Sequence, residues 1–314
     1  MDFNLSTIVG AAEFVQRAYH PDFVDLIFQE HSKIIAIPIT GTCENFHKPE
    51  NKNKNRFSYF PCWDITRVVL AKNNDGSDYI NANFIDGFKA ENKFIATEQP
   101  IRSTLNRFYS MVWQQNSRII VQLTSPGEAS QPTCVLRDFI FKEEHIYLNY
   151  YFTKTISSLT HIQTGEKRTI YCFKFLDWPE NGAPDVKSFL DFLLVVNKQH
   201  QEFFFEVLAT GQSSVGPIVV HGMAGVGRTA TFCAADYCLY QLVKTGTISI
   251  PSVVLGIKMQ RNFSFSSKIQ YLFLNYVLLY FISTIRSNSE IFLELRSHFT
   301  DQDTYLMNLK IKEI

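Results

Sequence analysis

The chain has 314 residues, 46% apolar and 19% charged, with 28 phenylalanines. That much apolar surface excludes an intrinsically disordered chain and suffices for one large domain or two ordinary ones. Thirty Lys and Arg balance thirty Asp and Glu, which excludes a nucleic-acid binder working through an overall basic field and leaves room for a local basic pocket.

Residues 1–15 carry neither a basic stretch ahead of an apolar run nor a Gly at position 2, so no export or acylation signal is expected. The six cysteines, Cys43, Cys62, Cys134, Cys172, Cys233 and Cys238, form no CxxC pair, and several sit in apolar runs, as in a reduced intracellular protein. A helical pattern occupies residues 13–31. The segment HKPENKNKNRF, 47–57, gathers charge and Asn beside a proline and reads as a surface loop. From there to about residue 175 strand patterns dominate, among them YINANFI, KFIAT and RIIVQLT, with one helix at 104–115. Residues 135–175 alternate β-branched and aromatic side chains across turn signals at 142–144 and 164–166, the pattern of an antiparallel meander.

Beyond Pro184 helical periodicity takes over at 186–206, 228–243, 251–261 and 268–285, interrupted by one strand at 217–220. The most apolar stretch, 271–285, is broken by Asn275 and is shorter than the roughly 20 residues that cross a bilayer, so a core helix is expected and no membrane span. No linker or repeat divides the chain, and the strands of the first half need the helices of the second to cover them. The sequence therefore predicts an α/β fold, a single domain with a central twisted mixed β-sheet flanked by helices.

The most informative segment is PIVVHGMAGVGRTATFCAADYCLY, a buried strand, a glycine-rich loop and a helix. Glycines let a backbone curl until successive N–H groups point inward, and the positive end of the following helix adds field at the same point. His221, Gly222, Met223, Ala224, Gly225, Val226, Gly227, Arg228 and Thr229 would form this anion cradle, with the Arg228 guanidinium offering a planar fork to two phosphate oxygens. Taken alone, such a turn is equally compatible with a tight strand-to-helix connection carrying an exposed Arg.

This loop resembles the signature H-C-x-A-G-x-G-R-[ST]-G of the cysteine-dependent protein tyrosine phosphatases at His221, Ala224, Gly225, Gly227, Arg228 and Thr229. It departs at Gly222, the place of the nucleophilic cysteine, and at Ala230. The resemblance extends through KNRF, PCWDITRVVL, DYINANFIDGF, KFIATEQP and FYSMVWQQ over roughly residues 20–290, leaving 1–19 as an N-terminal extension and 291–314 as a tail expected to be helical. EFVQRAYHPDFV and the stretch from QEHSKII to PCWD most resemble the tyrosine phosphatase-like proteins of the bracoviruses, polydnaviruses of parasitoid wasps.

The resemblance implies the tyrosine phosphatase fold and a set of site positions. In that family a thiolate attacks phosphorus, an Asp protonates the leaving phenol and a Gln positions the hydrolytic water. Here Gly222 cannot attack, Glu180 in WPE takes the acid position after Trp178, and Ser266 in QRNFSFSSKIQY replaces the Gln while Gln270 is retained. Glu128 falls at the carboxylate that orients the loop Arg, and Thr133 replaces a pocket Lys. Phe57 would wall the phenyl ring in place of a Tyr, whereas Tyr59 replaces an Asp that holds the peptide backbone.

The sequence thus predicts a catalytically inactive phosphatase-like protein that binds phosphotyrosine proteins and interferes with host-cell signalling from the cytoplasm of an infected cell. A protein-interaction module that keeps the fold without phosphate binding is the alternative, and an active phosphatase using other chemistry a remote one. No cofactor, metal, nucleic-acid or membrane partner is implied.

Overall fold

The computed structural model describes residues 8–71, 76–123, 133–179, 182–211 and 215–287. In chain order the strands are β1 (Val9–Gly10), β2 (Arg67–Val69), β3 (Tyr79–Gly87), β4 (Ala90–Glu98), β5 (Ile119–Gln122), β6 (Thr133–Val135), β7 (Phe139–Leu148), β8 (Phe152–His161), β9 (Lys167–Phe175), β10 (Ile218–Gly222) and β11 (Thr247–Ile248). The helices are α1 (Ala11–Ala18), α2 (Phe23–Ile35), α3 (Glu44–His47), α4 (Leu105–Gln114), α5 (Val186–Thr210), α6 (Arg228–Thr245), α7 (Ile250–Gln260) and α8 (Lys268–Ser287).

Nine strands form one mixed sheet in the order β2-β3-β4-β10-β5-β9-β8-β7-β6. The strands β4, β10, β5 and β9 run parallel in its centre, and antiparallel pairs extend it on both sides. Parallel strands are covered on both faces, which is why β10 reads as a continuous apolar run. Its alternate residues serve two cores. Ile218 and Val220 pack with Phe189, Phe232, Leu274 and Phe281 from α5, α6 and α8, whereas Val219 packs with Ile95, Ile120, Phe108 and Met111 on the α4 side. The α/β sandwich expected from the sequence is the fold observed.

Three local expectations change. The helix expected over 13–31 is two helices, because Pro21 lacks an amide donor and the chain turns between α1 and α2. The segment 47–57 is more ordered than a surface loop: Pro49–Lys54 is a 3₁₀ helix with Asn51 buried. No turn occurs at 142–144. The strand β7 runs through these residues with a bulge between Glu143 and His145, and the turn comes at 149–151, where the Asn149 side chain accepts the Tyr151 amide at 3.1 Å. Charged residues there mark a solvated strand face rather than a break. The turn at 164–166 is present, with Gly165 at φ +70°. Upstream of residue 20, Val9 and Phe14 are buried, and β1 pairs with β11.

The helix α8 is long and apolar enough in composition to cross a membrane, but Tyr271, Leu274, Val277, Leu278 and Phe281 insert into the core against α2, α5 and α6. It is the core helix that the Asn275-broken pattern predicts.

Candidate functional site

The central strand β10 stops at Gly222, and α6 starts six residues later at Arg228. The loop between them is fixed from outside. The Gln99 amide donates to the carbonyls of Gly222 and Met223 at 2.9 and 3.3 Å, and the Leu123 amide to that of His221 at 2.8 Å. Arg261, 1% exposed, donates Nε to the Gly225 carbonyl at 3.2 Å and Nη2 to that of Ala224 at 3.3 Å. These bonds draw loop carbonyls outward, the arrangement that leaves amides for an anion on the other side. Nη1 of the same guanidinium reaches the Asn81 and Asn83 side-chain oxygens at 2.7 and 2.8 Å.

Gly225 is obligatory: it has φ +68°, and a Cβ would lie 2.2 Å from the Thr97 carbonyl oxygen. At Gly227 a Cβ would meet Gln270 Nε2 at 2.6 Å, so Gln270 lies against the loop, and its Oε1 is buried with no partner among the described residues. At Gly222 a Cβ would sit 3.2 Å from the Leu123 carbonyl oxygen, 3.4 Å from Thr229 Oγ1 and 3.9 Å from Arg228 Cβ. That space is close to what a side chain needs. Thr229 is fully buried, and its Oγ1 has no hydrogen-bond partner among the described residues.

Arg228 is half-buried. It donates Nη2 to the Pro179 carbonyl at 2.9 Å and Nη1 to that of Leu123 at 3.4 Å, and its Cζ lies 5.7 Å from the Trp178 ring centroid. Trp178 is 1% exposed, in edge contact with Phe175 and Phe189. It supports the segment Trp178–Pro179 from beneath instead of facing solvent, because the hydrophobic ring is covered by α5 and α8 aromatics. Burial, with Arg56 and Lys174 nearby, pushes His221 down to about 4, so it is neutral near pH 7. Its ring meets the edge of Phe108 at 5.7 Å.

One wall stands beside the loop. Arg56 donates Nε to the Gln99 carbonyl at 2.9 Å and places Nη1 3.6 Å from Met223 Sδ. Phe57 follows it, within 5.5 Å of Tyr59 and 5.7 Å of Phe60, and Phe60 meets Phe263 at 5.8 Å. Tyr59 is 60% exposed at the rim. Phe263 adopts φ +60°, a conformation costly for a bulky residue.

Ser266 is exposed, three residues beyond Phe263. Glu128 and Glu180 lie outside the described residues. The backbone of Thr133 belongs to the edge strand β6, at the far end of the sheet from β10. The fold therefore gathers 221–229, Phe57, Tyr59, Trp178 and Gln270 about one strand end. Sequence reasoning missed Arg261, Asn81, Asn83 and Glu98. The available signal was a pair of Asn two apart in a strand-like run and a lone Arg in an otherwise buried pattern, both uncommon inside unless they are paired.

Thiol chemistry at the site is limited by burial. Cys233 and Cys238 are fully buried in α6, and burial pushes both thiols well above their ordinary range. Cys172 is pushed up to about 12 and Cys43 to about 11, mainly by burial. Among the described residues no group of three or more His, Cys, Asp or Glu could hold a metal ion.

A glycine-rich loop thus joins a central parallel strand to a helix, with an Arg at the helix start and an aromatic wall beside it. The protein-tyrosine phosphatase family matches residues 51–280, and the chain belongs to that family. It is 35% identical over 301 residues to Tyrosine phosphatase H3 of Microplitis demolitor bracovirus (isolate Webb), a match covering 85% of this chain and 92% of the relative. Tyrosine phosphatase-like protein H1 of the same virus is 32% identical over 314 residues, 94% of this chain and 92% of the relative. Tyrosine-protein phosphatase non-receptor type 9 of Rattus norvegicus is 35% identical over 264 residues, which cover 79% of this chain and 44% of that protein.

Proposed function

We propose that the protein is a pseudophosphatase: the tyrosine phosphatase-like domain, residues 20–290, binds a phosphotyrosine side chain in the 221–229 cradle and does not hydrolyse it. The observation that carries this reading is the absence of a side chain at position 222, at the strand end where the loop begins. Gly222 falls where the family signature has its attacking cysteine, and phosphoryl transfer to the protein needs a nucleophilic atom there. Glycine supplies none. The nearest cysteines in sequence, Cys233 and Cys238, are locked in the core of α6, and only a thiolate is competent.

Binding does not need the thiol. The curled loop, the start of α6 and the Arg228 fork remain. Two unit negative charges about 4 Å apart repel by roughly 4 kcal/mol at a surface-like dielectric, and a phosphate dianion facing a thiolate by about twice that, so glycine at 222 favours retention of the anion. In this reading Phe57 stacks on the ring, Tyr59 forms the rim, Trp178 supports the acid segment, Glu128 orients Arg228, Glu180 keeps the acid position without a step to serve, and Gln270 packs on the loop. Ser266 no longer positions water.

The partners of this reading are phosphotyrosine proteins of the host cell, met in its cytoplasm and shielded from active phosphatases. The bracovirus relatives support that setting. Calorimetric titration with a phosphotyrosine peptide, together with p-nitrophenyl phosphate turnover, tests it. The expected result is binding without turnover, with Arg228→Ala losing two charge-assisted hydrogen bonds, at most about 3–6 kcal/mol. Turnover above that of Arg228→Ala would overturn the inactive assignment. Equal affinity in the two proteins would instead favour an interaction module without a phosphate site.

A further inference from the structure

One carboxyl joins the wall of the cradle to its floor. The strand β4 ends at Glu98, whose register partner in β10 is Gly222. Glu98 is 5% exposed. Its Oε1 accepts the Arg56 amide at 2.7 Å, and the carboxyl also accepts the Phe57 amide. The next residue, Gln99, bonds through its amide to Gly222 and Met223 and through its carbonyl to Arg56 Nε. Glu98 Oε2 is buried with no hydrogen-bond partner among the described residues. The two segments between which a phosphorylated ring would lie, 56–57 and 222–223, are thus tied through the pair 98–99.

Resting on the reading of 221–229 as a phosphate cradle, we propose that Glu98 is a positioning residue of that site: its carboxyl fixes the Arg56–Phe57 backbone against the start of the loop and so governs anion affinity without touching the anion. Its charge state matters because β10 is only one strand spacing away, about 4.8 Å. Burial pushes the carboxyl up to about 7, against the pull of the two amides and of Arg261 and Arg56. Neutral Glu98 keeps an acceptor oxygen for both amides and adds no charge. Ionised Glu98 sets a negative charge behind a loop that must receive another.

The other groups facing it hold their charge state. Arg56 from the wall and Arg261 from the segment after α7 stay cationic. Tyr79 of β3 and Cys62 are pushed up by burial, and His221 of β10 is pushed down to about 4. Among these, Glu98 is the group that titrates between about pH 5.5 and 8.5.

Titration calorimetry with inorganic sulfate, a dianion throughout that range, and with phenyl sulfate separates the possibilities. Wild-type protein is expected to bind sulfate about tenfold more weakly at the upper pH than at the lower. Glu98→Gln keeps the acceptor and removes the charge, so its affinity at the lower pH should persist to the upper. Glu98→Ala removes the acceptor, and phenyl sulfate should lose the advantage over sulfate that Phe57 provides. Superimposable pH profiles for wild type and Glu98→Gln overturn the proposal, whether or not Glu98→Ala folds, as does an undiminished phenyl sulfate preference in a folded Glu98→Ala. Sulfate that binds wild type and Arg228→Ala equally, or neither, overturns the cradle reading itself and this proposal with it.

Discussion

The outside and the inside of the 221–229 loop are built differently. Outside, Arg261, Asn81, Asn83 and the Gln99 amide hold the backbone through short, buried hydrogen bonds. Inside, position 222 has no side chain, and the hydroxyl of Thr229 points to no partner among the described residues. The bonds that shape the loop from outside are in place, while position 222 offers no side-chain atom on the inside. If the proposed reading holds, shape and reactivity are separable in this fold: the first depends on many distributed bonds and the second on one side chain.

The sharpest way to break that contrast is to refill the interior. Gly222→Cys needs the Leu123 carbonyl to give by only a few tenths of an ångström, since the Cβ would lie 3.2 Å away. The thiol would sit at a helix start beside Arg228, conditions that lower its pKa. The proposed reading expects in stopped-flow assays a burst of phenol followed by slow turnover, since it puts Ser266, too short to hold a water as a Gln amide would, at the water-positioning place. Adding Ser266→Gln should speed the steady phase more than the burst. Absence of any burst would mean that the loop is not a competent cradle.

The shell can be broken next. Gly225→Ala forces a Cβ to 2.2 Å from the Thr97 oxygen at φ +68° and should cost more than about 4 kcal/mol. Arg261→Ala strands the Asn81 and Asn83 oxygens and the loop carbonyls, for a loss of about 3–5 kcal/mol. Urea denaturation measures both. If Arg261→Ala lost under about 1 kcal/mol, the shell would be less determining than its hydrogen bonds suggest.

The smallest effect is the pH dependence of stability. His221, pushed down to about 4 from 6.5, binds fewer protons folded than unfolded between those values, so its contribution is full above 6.5 and is lost as pH falls through 4. Glu98, pushed up to about 7 from 4.5, binds more protons folded than unfolded, so its contribution is full below 4.5 and is lost as pH rises through 7. Glu98→Gln should therefore gain on the order of 1–3 kcal/mol over wild type at pH 8 relative to pH 5. Equal changes in the two proteins would place the carboxyl in the ordinary range.

The strand–loop–helix unit at 218–245 was legible because a central parallel strand is apolar throughout and a loop that must curl requires glycine. The core role of 271–285 was legible from its apolar periodicity. The break at Pro21 and the continuity of β7 through 142–144 were misread, since local polarity does not distinguish a turn from a solvated strand face. The strand–loop–helix order of 218–245, the apolar helix after 268 and the glycine at 222 were legible from the order of residues alone. Only the tertiary structure decided that Arg261 reaches Asn81 and Asn83 across 180 and 178 positions of sequence, and that Glu98 closes the wall onto the loop. Hydrogen bonds between residues so far apart exist only after the sheet and the helices have packed, so no local pattern announces them.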